Sequence, residues 1–220
     1  MAQNLIADLG VFINLDERPD RRAHIERLLA PAPWRMVRLS ATRLSGKLSD
    51  HDLTVEPGTS AALAVCSIWQ SHRRALQTFL DAGSDGPFAL IEDDLQLQPF
   101  FWTDGLEYLQ RTQLPEDADM VLLNPRYRER KPTDPTVGKR FVAPPLGRGL
   151  TRLSEVLETH HCTGAHFCIF PDRAAVARVA ALMDAKEMLL DVDVFYVRDT
   201  VCYGLAMKSV SAGKFGSDHI

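Results

Sequence analysis

Short apolar runs alternate with amphipathic helical segments, and this alternation constrains the fold more than any other feature. Four runs of four to six residues, bounded by turn or polar residues, are typical of buried strands; they lie at 10–15, 88–91, 120–123 and 165–170. Between them, apolar side chains recur at helical spacing, most clearly in the segments 25–29, 65–80 and 175–183. Strands and helices alternating at these lengths predict an α/β domain with a mixed, mostly parallel sheet flanked by helices.

Residues that start and stop helices support these boundaries. Pro19 suits the first position of a helix, because its fixed φ is already helical and it needs no N–H partner there. Thr59 or Ser60 is expected to cap the second helix, and Gly83 is expected to end it. Asp172 follows the last apolar run and marks the start of a further helix.

Size and composition set the class of protein. The chain has 220 residues, which predicts a single domain over 1–220, and 45% hydrophobic with 25% charged residues is ordinary for a globular protein. The net charge of −4 gives no support to nucleic-acid binding. The four cysteines form no CxxC pair, which suits a reducing compartment. No apolar run reaches membrane-spanning length, and no signal peptide is evident. We therefore expect a cytoplasmic protein.

One segment, 125–152, differs from the rest of the chain and is called the basic segment below. It contains five prolines and three glycines, and its eight basic against two acidic side chains give it a net charge of +6. A long loop inside a compact domain is usually functional or disordered. The basic segment is therefore either a mobile surface loop or a lid that docks an anionic substrate or a membrane surface.

The most informative motif is Glu92-Asp93-Asp94, which directly follows the apolar run 88–91. Ligands of α/β sheets bind outside the carboxyl ends of parallel strands. Three adjacent acids repel one another unless a cation compensates them, and in extended backbone Glu92 and Asp94 point to the same side. The pair is therefore a candidate site for a hard divalent ion that also binds phosphate oxygens, and the alternative is a solvated acidic strand end.

Other polar residues form weaker candidate sites. After the first apolar run, Asn14 and Asp16 can contact a base or ribose, and Arg18, Arg21 and Arg22 can face phosphates; the alternative is a helix start with ordinary surface arginines.

Three further residues have a chemical and a structural interpretation. His72 lies on the apolar stripe of the second helix, where a histidine is more often packed than catalytic. Asp191 and Asp193 have the same i, i+2 spacing as the acidic pair, and either one is a candidate general base or a helix cap.

Several better-known patterns are absent from the sequence. It contains no phosphate-binding GxxxxGK[ST], no GxGxxG, no GxSxG and no HExxH. Five residues near 160–168 are of metal-ligand type, but their spacing is not that of a zinc site. They are His160, His161, Cys162, His166 and Cys168.

Taken in order, these segments resemble glycosyltransferase family 25, which includes bacterial lipooligosaccharide galactosyltransferases. The resemblance lies in VFINLDERPDRRAHIERLL at 11–29, SHRRAL at 71–76, FALIEDD at 88–94, TGAHFCIF at 163–170, VDVF at 192–195 and GSDHI at 216–220. It implies a GT-A-like fold, and it favours a helix for the β-branched segment 191–203. It also implies transfer of a sugar, galactose in many members, from a UDP-sugar donor to a glycan acceptor such as lipooligosaccharide.

The resemblance also implies roles for individual residues. Glu92 and Asp94 would hold a divalent metal, and the resemblance implies that this metal is Mn²⁺. Asp93 would lie near the donor. Asn14, Asp16, Arg18, Arg22 and His72 would line the donor site. The family is regarded as inverting, so a carboxylate should deprotonate the acceptor; Asp193 is the first candidate and Asp191 the second. The basic segment would then meet acceptor phosphates, with peripheral contact to the inner membrane face.

Two other functions compete with a hexosyltransferase. A glycan- or nucleotide-binding module of the same fold would keep the donor site without turnover. A phosphohydrolase that uses strand-end acids needs a nucleophilic Asp, and this chain has Glu92 in that place. The leading hypothesis is therefore the metal-dependent glycosyltransferase.

Overall fold

A computed structural model describes residues 5–129, 149–157 and 159–213. Within these ranges there are five α-helices: α1 (Pro19–Leu29), α2 (Ala62–Ala82), α3 (Asp104–Arg111), α4 (Arg173–Asp184) and α5 (Val192–Asp199). The same ranges contain eleven strands: β1 (Leu9–Asn14), β2 (Arg35–Ser40), β3 (Phe88–Glu92), β4 (Leu95–Leu97), β5 (Met120–Leu123), β6 (Arg126–Glu129), β7 (Leu150–Arg152), β8 (His160–Thr163), β9 (Phe167–Phe170), β10 (Cys202–Leu205) and β11 (Val210–Ala212). Short 3₁₀ turns occur at Leu48–His51, Pro99–Trp102 and Leu153–Val156.

Seven strands form one mixed sheet, in the order β2-β1-β3-β9-β5-β10-β7. Strands β1, β2 and β3 pair in parallel, as do β5 and β10. Strand β9 is inserted between β3 and β5 and runs antiparallel to both, and β7 pairs antiparallel with β10 at one edge. Five strands therefore share one direction, which confirms the predicted α/β fold with a mostly parallel sheet flanked by helices.

Helices cover both faces of this sheet, so its central strands are apolar on both sides. Along β3, Phe88 and Leu90 pack into the core under α2, α4 and α5, whereas Ala89 and Ile91 pack into the core under α1 and α3. This two-sided burial explains why the strand sequences are continuous apolar runs and not alternating ones.

The helix ends agree with the sequence in three places and differ in one. Pro19 begins α1, and Gly83, in the left-handed region at φ 71°, ends α2. The side chain of Asp172 accepts a hydrogen bond from the N–H of Ala175 and caps α4. The predicted Thr59 or Ser60 cap of α2 is wrong, because the helix begins later, after Ala61, without a side-chain cap hydrogen bond.

The basic segment is described only at its two ends. Its first residues form β6, which pairs with β8 in a separate two-stranded ribbon, and its last residues form β7. Arg126 and Arg128 lie on one face of the ribbon opposite Thr163 and His161, because these residues are register partners. Residues 130–148, which carry most of the predicted loop, lie outside the described part of the chain.

No described helix combines the length and apolar character needed to span a bilayer.

Candidate metal centre

The acidic motif and a histidine meet at the carboxyl edge of the sheet. Strand β3 ends at Glu92, and the antiparallel strand β9 begins at the same edge, just after His166. The backbone N–H of Glu92 donates to the carbonyl of His166 at 3.0 Å and fixes the two residues side by side. Since the strands run in opposite directions, the end of one and the start of the other contribute to one site.

Three side chains converge there on a single point. Nδ1 of His166 lies 3.1 Å from Oε2 of Glu92 and 3.1 Å from Oδ1 of Asp94. One ligand atom from each residue can be chosen so that all three lie within 4.8 Å of one another. The prediction that Glu92 and Asp94 face the same side is therefore met by the geometry.

The donor set fits a divalent metal ion. Two carboxylate oxygens suit hard cations, and an imidazole nitrogen is accepted by transition metals. The carboxylates of Glu92 and Asp94 are 27% and 29% exposed, whereas the His166 side chain is 8% exposed. The two carboxylates therefore reach solvent, whereas the imidazole is enclosed. We call Glu92, Asp94 and His166 the metal triad.

The charges within the triad are strongly coupled. Burial opposes ionisation of Glu92, but the hydrogen bonds with His166 and His72 outweigh burial, so the pKa of Glu92 lies well below its usual range. Burial also opposes the charged form of His166, and the hydrogen bonds with Asp94 and Glu92 again prevail, raising the pKa of His166 to about 10. The imidazolium thus compensates the two carboxylates.

Asp93 points away from the triad and into a buried polar network. One of its carboxylate oxygens accepts from Nδ2 of Asn14 at 2.7 Å, and the other accepts from Arg21 at 3.0 Å. Burial raises the pKa of Asp93, and the bonds from Asn14 and Arg21 oppose that rise. Asn14 also accepts from Nε of Arg38 at 3.1 Å. Asn14 and Asp93 therefore join the ends of β1 and β3, and their donor contacts remain predictions.

The remaining residues predicted to line the donor site lie nearer the surface. Asp16 accepts hydrogen bonds from Arg38 and from the hydroxyl of Ser40, which is 2.7 Å away. Arg18 pairs with Asp20 through two bonds of 2.8 and 3.0 Å.

Arg22 pairs with Glu26 one turn further along α1, and both side chains are about half exposed. This pairing is the ordinary surface arrangement that the sequence left as an alternative. Contact of Arg22 with donor phosphates therefore remains a prediction.

His72 contacts the triad but is itself enclosed. Its side chain is only 1% exposed; Nε2 lies 3.2 Å from Oε1 of Glu92, and Nδ1 lies 2.9 Å from the hydroxyl of Tyr196. Both ring nitrogens are thus engaged within the protein. His72 therefore lies on the interior side of Glu92, a candidate metal ligand. Contact of His72 with the donor remains a prediction.

The two candidate bases have different surroundings. Both carboxylate oxygens of Asp193 accept backbone N–H groups, from Gly164 and Ala165, each at 2.8 Å. Asp191 is exposed, and its side chain caps α5 by accepting from the N–H of Asp193 at 2.9 Å. Burial and the negative charges of Glu92 and Asp191 raise the pKa of Asp193 to about 6. Asp193 therefore holds the turn that leads into His166.

His166 is the site residue that sequence reasoning missed. In the sequence it belongs to a cysteine- and histidine-rich stretch whose spacing does not fit a zinc site. The signal in the sequence was the position of His166 at the start of an apolar run. When that run forms a strand antiparallel to its neighbours, its start lies at their carboxyl ends. Cys162 and Cys168 are buried free thiols.

Comparison with known proteins gives only distant structural likeness. A scan against known protein families finds no match, and a search of curated proteins finds none. The chain is similar to the crystal structure of A197 from STIV, with a TM-score of 0.46 and 15% identity over 94% of this chain and 84% of that chain. It is also similar to the crystal structure of a glycosyltransferase involved in the glycosylation of the major capsid of PBCV-1. There the TM-score is 0.38 and the identity 8%, over 81% of this chain and 68% of that one. Likeness at this level says nothing about activity.

Proposed function

We propose that this protein is a metal-dependent glycosyltransferase that transfers a hexosyl group from a nucleotide-sugar donor to a glycan acceptor. The observation that carries the proposal is the metal triad: two partly exposed carboxylates and an imidazole converge at the carboxyl edge of a mostly parallel sheet. This edge is where α/β sheets bind nucleotides and phosphates. The type of reaction, glycosyl transfer, is inferred from the sequence resemblance to family 25.

The donor side of the site is the β1–β3 edge. A divalent ion, Mn²⁺ in our proposal, would be held by Glu92, Asp94 and His166, where it would neutralise the charge that develops on the leaving diphosphate. The buried Asn14–Asp93 contact fixes the loop after β1 beside the triad. Asp16 and Arg18, further along that loop, are the residues we propose for contact with the nucleotide.

The acceptor side requires a base. In an inverting transfer the acceptor oxygen forms a bond to the anomeric carbon. The bond from that carbon to the diphosphate oxygen breaks at the same time, and the diphosphate oxygen keeps the electron pair. The acceptor proton passes to a carboxylate, for which we propose Asp193, with Asp191 second. A pKa of about 6 suits a general base near neutral pH. The unused lone pairs of the Asp193 carboxylate remain available beside its two N–H contacts.

Donor and acceptor identities follow from the resemblance alone. We propose UDP-galactose as the donor and a lipooligosaccharide-type glycan as the acceptor, in the cytoplasm at the inner membrane face. Arg126 and Arg128, at the described start of the basic segment, support an anionic acceptor.

A ligand screen tests the proposed function directly. Thermal unfolding is measured with a set of nucleotide sugars, each with and without Mn²⁺, and the released nucleoside diphosphate is then assayed with the best donor. We expect stabilisation by one nucleotide sugar only when Mn²⁺ is present, together with slow donor hydrolysis. Stabilisation that is equal in excess chelator would contradict the metal-dependent mechanism.

A binding module without turnover is the second candidate. The observation that favours it is the engagement of both Asp193 oxygens by backbone N–H groups, which makes this carboxylate a structural brace. In that case Mn²⁺ and the nucleotide sugar would bind, but no diphosphate would be released with any acceptor. The hydrolysis assay separates the two candidates.

A further inference from the structure

A buried chain of polar groups extends from the metal triad into the protein interior. The hydroxyl of Tyr196 lies 2.9 Å from Nδ1 of His72, and Nε2 of His72 lies 3.2 Å from Oε1 of Glu92. Tyr196 is fully buried and His72 is 1% exposed. The three residues belong to α5, α2 and β3, so the chain links two helices of one sheet face to a metal ligand. Buried polar groups are costly unless each one is hydrogen-bonded.

The hydrogen-bonding capacities of these groups define a single direction for the protons. A metal-binding carboxylate is ionised and only accepts, so Nε2 of His72 must carry the proton that it shares with Glu92. With the shared proton on Nε2, the Nδ1 lone pair of His72 accepts from the Tyr196 hydroxyl. Among the residues that the structure describes, the Tyr196 hydroxyl has no second hydrogen-bond partner, so this arrangement satisfies every donor.

Glu92 is held from two sides, by His72 and by His166. The second carboxylate oxygen of Glu92 faces Nδ1 of His166, which it shares with Asp94. The remaining nitrogen of His166, Nε2, is buried and has no hydrogen-bond partner in the described part of the chain. The imidazole of His166 is therefore oriented by Glu92 and Asp94, and Glu92 is oriented by His72.

We infer that Tyr196 and His72 form a positioning pair for the metal triad: the Tyr196 hydroxyl holds the His72 ring in place through Nδ1, and the Nε2–H of His72 turns Oε2 of Glu92 toward the ion. The inference rests on the proposed function, since it assigns a role toward the ion proposed there. Groups that orient metal ligands by hydrogen bonding typically contribute 10- to 100-fold to metal affinity. His72 is then a positioning residue, acting on the donor through Glu92.

The first test compares two tyrosine variants. Binding of Mn²⁺ alone, without nucleotide, is titrated for wild type, Tyr196→Phe and Tyr203→Phe. Tyr203 is the matched control, because it is also buried and its hydroxyl also donates to one partner, Asp117 at 3.2 Å, away from the triad. We expect Mn²⁺ affinity to fall about 10- to 100-fold in Tyr196→Phe and to stay at the wild-type value in Tyr203→Phe.

Two histidine variants keep the test valid if removal of the tyrosine hydroxyl disturbs folding. His72→Gln retains an N–H donor for Glu92 and should keep most of the Mn²⁺ affinity, whereas His72→Leu removes the donor and should lose it. Melting temperatures are measured for all variants. Equal Mn²⁺ affinity in wild type and Tyr196→Phe, or in His72→Gln and His72→Leu, would overturn the inference.

The tautomer of His72 gives a readout that involves neither metal nor activity. Long-range ¹⁵N–¹H NMR spectra of the metal-free protein should show His72 protonated on Nε2 in wild type and also in Tyr196→Phe, because the Glu92 carboxylate only accepts. A wild-type His72 protonated on Nδ1 would overturn the inference even if Mn²⁺ binds. If wild type binds no Mn²⁺, the proposed metal site and the positioning role are both wrong. If wild type binds Mn²⁺ but His72 is protonated on Nδ1, only the positioning role is wrong, so the two failures are distinguishable.

Discussion

Nδ1 of His166 lies 3.1 Å from a carboxylate oxygen of Glu92, although 74 residues separate the two in the chain. The contact exists because β9, which follows His166, is inserted antiparallel beside β3, which ends at Glu92. It places a nitrogen ligand beside two oxygen ligands at the edge of the sheet where substrates of α/β proteins bind.

Asp94 is expected to be required for metal binding, and the two ends of β3 provide a matched pair of variants. Asp94→Asn removes a charged ligand of the triad, so Mn²⁺ affinity should fall by at least ~10–100-fold and turnover should be lost. Asp85→Asn changes an exposed aspartate before β3 and should do neither. Calorimetric Mn²⁺ titration and a diphosphate-release assay measure the two effects. Full activity of Asp94→Asn in excess chelator would show that the triad is no metal site.

The buried Asp93–Arg21 ion pair should contribute strongly to stability. Both side chains are about nine-tenths buried and lie 3.0 Å apart. Asp93→Ala leaves the buried guanidinium without its carboxylate, which typically costs about 3–5 kcal/mol. Asp16→Ala, which breaks an exposed contact with Arg38, should change stability little because solvent screens such pairs. Denaturant unfolding curves decide, and similar midpoints for the two variants would refute the expectation.

Turnover should depend on pH through Asp193. A general base must be deprotonated, and the pKa of Asp193 is raised to about 6 by burial and by Glu92 and Asp191. Activity should therefore be lost as pH falls through about 6 and should level off above it. Asp193→Asn should lower turnover ~10²–10⁴-fold at neutral pH and remove this limb. A less stable Asp193→Asn enzyme with near-normal turnover would make Asp193 a structural brace, and Asp191→Asn would then identify the base.

The basic segment should act on the acceptor and not on the donor. Replacing Arg126 and Arg128 by Ala removes two positive charges from one ribbon face. Activity on an anionic acceptor should fall and become less sensitive to salt, since the attraction between these charges and the acceptor is screened over ~8 Å at physiological ionic strength. Donor hydrolysis should change little. The control is the double Ala variant of Arg27 and Arg111, two exposed arginines outside the segment; equal effects of the two double variants would reject the acceptor role.

Much of the architecture was predictable because its causes are local. The apolar runs at 88–91 and 120–123 became β3 and β5 nearly residue for residue, since only a strand covered on both faces uses such a run. Gly83 ended α2 because glycine adopts the left-handed backbone without a Cβ penalty. The predicted Thr59 or Ser60 cap of α2 was wrong, because α2 begins after Ala61 without a side-chain cap.

The sequence by itself determined that Glu92 and Asp94 stand together at the end of a buried strand, because two residues i and i+2 share a side wherever the backbone is extended. It could not determine what faces them. His166, His72 and Tyr196 reach Glu92 from β9, α2 and α5 only because of strand order, strand direction and helix packing. Those features depend on which distant segments bury each other's apolar faces, and no pattern within a short stretch of sequence records that choice.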